Sequence, residues 1–116
     1  MGRVLQVRVS AFTYSEDDVR KAWPVLWRWA FEETKPGFPH EMKGVLELVR
    51  ALEDLYRFGD IPSALREVLE KDLPRAVRGV EALEQELGNW NARGANTATD
   101  AIEDSLTELE KHAPKP

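Results

Sequence analysis

The sequence contains no cysteine. Disulfides, thiolate metal sites and cysteine nucleophiles are therefore excluded. No apolar run comes near the ~20 residues that span a bilayer. The first residues, Met1-Gly2-Arg3-Val4-Leu5-Gln6, lack the apolar stretch and small-residue cleavage site of a secretory signal. Gln6 also stands where a myristoylation pattern has Ser or Thr. A cytoplasmic chain with no membrane partner is the expectation from these absences. Runs of positive charge are missing too. Net charge is −5, and from Glu81 to Glu110 a single cation, Arg93, faces eight carboxylates. A nucleic-acid binder needs a positive face to release phosphate counterions, so nucleic acid is not the expected partner.

What is present is enough for one core. The 116 residues are 42% hydrophobic and 32% charged, the balance of a packed interior under a charged shell. The length suits a single domain over residues 1–116. Residues 3–12 alternate: Leu5, Val7, Val9 and Ala11 are separated by Gln6, Arg8 and Ser10, the period of a half-buried strand. No second segment has this pattern, and a lone strand leaves its backbone groups unpaired. Pairing of residues 3–12 with a second copy satisfies them, so a homodimer is expected.

Helical periodicity fills the rest. Ser15 followed by Glu16, Asp17 and Asp18 is a cap with acids on the positive end of the helix dipole. This first helix extends to about Glu33, with a kink or break at Trp23-Pro24. A loop follows at Lys35-Pro36-Gly37-Phe38-Pro39. The second helix covers about residues 40–58 and is closed by Gly59 as a left-handed cap. Asp60 with Pro62 and Asp72 with Pro74 read as two helix starts, giving helices at about 61–71 and 74–87. Residues 88–97, GNWNARGANT, read as a long loop, residues 98–112 as the last helix, and residues 113–116 as a frayed tail. The fold class is all-α: a bundle of four or five helices with one short N-terminal strand, residues 1–14 forming the strand or arm. Leu26, Trp27, Val49, Leu52, Leu65, Leu83 and Ile102 lie on the apolar stripes and are the expected core.

The candidate sites are weak against ordinary structure. Trp23 and Trp27 share a core face with Val19, Leu26 and Ala30, while Trp29 points elsewhere and is a candidate contact residue; a core helix wrapped by its neighbours is the commoner arrangement. Trp90 and Arg93, with the backbone freedom of Gly88 and Gly94, could bind a small anion or ligand, though the loop lacks P-loop spacing. His40 and His112 stand at helix ends, and residue 44, where a HExxH motif needs histidine, is glycine. No nucleophile–base arrangement can be assigned, so no catalytic residue is named.

Glu81-x-x-Glu84 and Asp100-x-x-Glu103 flank residues 88–97 at nearly equal distances. This paired spacing resembles the metal sites of all-helical nucleotide pyrophosphatases of the MazG type. The resemblance implies magnesium held by Glu81, Glu84 and Glu103, and hydrolysis of nucleoside triphosphates. It covers less than a third of the chain. The family pattern has Glu-x-x-Asp second, here reversed, and Asp100 lies opposite the apolar stripe of its helix. The sequence thus favours a non-enzymatic interaction or regulatory module, acting as a homo-oligomer through residues 3–12 and the first helix. A magnesium-dependent hydrolase is the alternative.

Overall fold

The computed structural model describes residues 15–33 and 43–116. The expected strand at 3–12, the loop at 35–39 and His40 lie outside the described residues. Those that are described are mostly helical and contain no strand: α1 Glu16–Ala22, α2 Pro24–Trp27 continuing into a wide π-helical segment Arg28–Glu33, α3 Val45–Phe58, α4 Ser63–Gly88 and α5 Ala92–His112.

Pro24 breaks the first helix. Trp23 leaves helical geometry at φ −132°, ψ 66°, and Pro24 restarts the chain as the first residue of α2, where its missing N–H is no loss. The free amides of that restart are satisfied from α5. Glu110 Oε2 accepts from the Val25 N–H at 3.1 Å and Oε1 from the Leu26 N–H at 3.0 Å. A carboxylate also suits the positive end of the helix dipole.

Pro74 behaves differently, and the two helices expected at 61–71 and 74–87 are one. α4 runs for 26 residues with Pro74 inside it, a length of about 39 Å. The proline is exposed, as is Glu70, whose carbonyl loses its donor. Leu65, Leu69, Leu73, Ala76, Val80 and Leu83 remain in register on the buried side. Burial of that continuous stripe outweighs one missing hydrogen bond. Asp72 therefore caps nothing; its carboxylate lies 3.5 Å from His112 Nδ1 at the end of α5. Pro62 also differs from expectation, since it is the extended residue just before the first turn, at φ −58°, ψ 149°.

Gly59 is extended, at φ −80°, ψ 151°, and not left-handed. Glycine is required there for space, because a β-carbon would lie 2.6 Å from the Leu55 carbonyl oxygen. Arg66 closes the end of α3 by donating to the carbonyls of Tyr56 at 2.7 Å and Gly59 at 3.1 Å.

α4 and α5 form a long antiparallel hairpin, the most extensive packing among the described elements. Their close approach is set at Gly79, where a β-carbon would meet Ile102 Cγ1 at 2.7 Å. The seven residues expected in the core are all buried, within one cluster that also holds Trp23, Trp29, Leu106 and Leu109. The tail is not simply frayed: Ala113 packs against the core, and the Pro114 carbonyl accepts from Trp29 Nε1 at 2.7 Å.

Candidate functional site

The expected loop at 88–97 is a three-residue turn. α4 persists to Gly88, and α5 begins at Ala92, two turns earlier than its sequence suggested. Ala95 and Ala98 extend the buried stripe of Ile102, Leu106 and Leu109 back to the turn. Small side chains there let α5 lie close to α4.

The turn spends its amides on the helix ends. Asn89 N–H donates to the Gln85 carbonyl at 3.0 Å, Trp90 N–H to Leu87 at 3.2 Å, and Asn91 N–H to Glu86 at 2.9 Å. The last two bonds form a Schellman closure. Asn91 then caps α5, accepting from the Gly94 N–H at 3.1 Å. The Glu86 carboxylate packs beside Gly94, where an added β-carbon would lie 2.5 Å from its Oε2. The start of α5 thus already faces a carboxylate of this chain. Arg93 is exposed nearby, but the N–H groups of Asn89, Trp90, Asn91 and Gly94 are engaged within the chain.

Trp90 occupies the position of the closure that glycine normally fills. Its φ is 59°, the only positive value for a non-glycine residue among those described. The residue is 54% exposed. Left-handed backbone costs an L-residue about 1–2 kcal/mol, so this tryptophan is held where backbone and burial both disfavour it. Among the described residues, Phe58, 83% exposed, is the other large apolar side chain in the open. It lies at the end of α3, close in sequence to the start of α4, and belongs to a separate surface.

Trp29 is placed inside the protein. Only 8% of it is exposed, and its indole N–H is bonded to Pro114. Trp29 is buried together with Leu26, Trp27 and Ala30, so it offers no contact surface and does not join Trp90 and Arg93.

Nor does the structure bring Glu81, Glu84 and Glu103 together. Gly79, Val80 and Leu83 of α4 and Ala98 and Ile102 of α5 take the buried positions of the hairpin, leaving the three carboxylates exposed. Glu84 Oε1 pairs with Arg50 Nη2 of α3 at 3.0 Å. Among the described residues there is no group of three or more His, Asp or Glu that could hold a metal ion, and no helix is long and apolar enough to cross a membrane.

Sequence reasoning missed the residues that fasten the first helix to α5, namely Thr107, Glu110 and Pro114. Trp23 Nε1 donates to Thr107 Oγ1 at 3.2 Å, completing that set. A signal existed for Glu110 alone: a carboxylate on the edge of an apolar stripe, with a proline-restarted helix elsewhere needing an acceptor. Comparison with protein-family models, with curated proteins and with solved structures finds no match to this chain.

Proposed function

We propose that this chain is a non-enzymatic interaction module that acts as a homo-oligomer and meets another protein with Trp90. One observation carries the reading: Trp90 joins a left-handed backbone to a ring half outside the fold. A partner that buries the ring would recover the burial that the free chain forgoes. Tryptophan is also among the residues most enriched at the energetic centre of protein contacts. Exposed Glu81, Glu84, Asp100, Glu103 and Asp104 surround the outer half of the hairpin, with Arg93 against them. Two such tips repel each other, so the surface that receives Trp90 belongs to a different protein and carries basic groups.

Assembly of copies uses residues 3–12, whose alternation calls for a paired strand; Trp29 takes no part in it. Sedimentation velocity on the order of tens of micromolar, where a stable dimer persists, tests this. The expected result is a dimer for the intact chain and for Trp90→Ala, and a monomer for a chain lacking residues 1–12. A monomeric intact chain contradicts the homo-oligomer.

Melting with magnesium or manganese tests the non-enzymatic part. The melting temperature is expected to stay unchanged in either metal. A rise of several degrees would mean that the folded chain binds the ion, and would favour the hydrolase using Glu81, Glu84 and Glu103.

A further inference from the structure

The segment 15–33 consists of short pieces: seven residues of α1, four of α2 and six of π-helical turn. Helices below about 12 residues are marginal in isolation, so these pieces depend on docking. α4 and α5 lie together along most of their lengths, whereas this segment meets α3 and α5 over short stretches. At its start Glu16 Oε1 accepts from the Lys43 N–H at 2.8 Å, and four of its hydrogen bonds reach α5 and the tail. Trp23 Nε1 donates to Thr107, the Val25 and Leu26 amides donate to Glu110, and Trp29 Nε1 donates to Pro114. Thr107 and Glu110 follow the i, i+3 spacing of one helix face, and Pro114 lies in the extended tail just beyond α5.

We propose that residues 15–33 open as one unit before the rest of the protein unfolds, and that Glu110 is the latch that sets how often they open. Opening removes Trp23, Trp27 and Trp29 from the shared core while the α4–α5 hairpin stays closed. Glu110 dominates because it accepts two hydrogen bonds as an ion, and charge-assisted bonds are about twice as strong as neutral ones. The segment cannot open piecemeal, since each fragment loses its helix once its neighbour leaves.

Amide hydrogen exchange of the full chain tests this with Glu110→Gln. The readout is residues 27–32, whose own amides do not bond to Glu110, against residues 79–102 of the hairpin. Glu110→Gln is expected to speed exchange at 27–32 about tenfold or more, the loss expected when a charged acceptor is removed, and to leave 79–102 unchanged. Thr107→Val, a milder loss of the Trp23 acceptor, is expected to move the same residues by a smaller factor. Glu103→Gln, on an exposed side chain of α5, is expected to move neither. Equal acceleration of both regions would show that the segment opens only with the whole protein. No acceleration at 27–32 in either α5 variant would show that Glu110 and Thr107 do not hold it. Either result overturns the proposal.

Discussion

Leu52→Ala is expected to lower the free energy of unfolding by about 3 kcal/mol, within the ~2–5 kcal/mol typical of buried leucines. Leu52 is fully buried near the middle of α3, whose inner side also carries Leu48, Val49, Ala51 and Leu55. Removing three carbons there costs their transfer free energy and leaves a cavity that the surrounding side chains only partly close. A domain of this size has about 5–15 kcal/mol in all, so the loss is large. Urea unfolding measures it: the midpoint falls while the slope stays constant. A loss below about 1 kcal/mol would mean that α3 does not pack as described.

Gly79→Val is expected to produce the second large effect, a loss of about 2–3 kcal/mol, at the upper end of the ~1–3 kcal/mol of overpacked interiors. A glycine inside a helix costs about 1 kcal/mol relative to alanine. Gly79 tolerates that cost because α5 comes so near that even one added carbon would meet Ile102 Cγ1 at 2.7 Å. Valine forces the two helices apart or pushes Ile102 off its rotamer. Ile102→Ala removes the obstructing atom, so the double variant loses less than the sum of the two single losses, by about 1 kcal/mol or more. Strict additivity of the two losses would show that residues 79 and 102 are not in contact.

The legible parts of this fold were those where local chemistry and packing agree. The stripes of α3 and α5 identified Val49, Leu52 and Ile102, and Pro24 marked a true break because the chain there changes course. Pro74 carries the same local signal, yet the helix passes through it. What decides is the apolar register on both sides of residue 74, packed against α5, and that is tertiary. Gly88, Asn89, Asn91 and Gly94 likewise read as loop residues one at a time. In the hairpin they become a helix end, a cap and the first turn of α5. Trp29 is off the four-residue spacing of Trp23 and Trp27, so its burial depended on knowing that the tail returns to cover it. Spacing did place Glu81, Glu84 and Glu103 at related heights. Heights along two helices do not set direction, and the close contact at Gly79 gives the space between the helices to Val80, Leu83 and Ile102.

The claim that Trp90 is kept for a partner and not for the fold is tested most directly by unfolding two variants, Trp90→Ala and Trp90→Gly, beside Leu52→Ala. The residue is 54% exposed and its backbone is left-handed. Trp90→Ala is expected to lose less than about 1.5 kcal/mol, below the ~2–5 kcal/mol range of a core leucine. Trp90→Gly is expected to be about 1 kcal/mol more stable than Trp90→Ala, because glycine alone adopts this backbone without strain. A loss in Trp90→Ala as large as that of Leu52→Ala, with no gain from glycine, would assign the ring to the core and contradict the account.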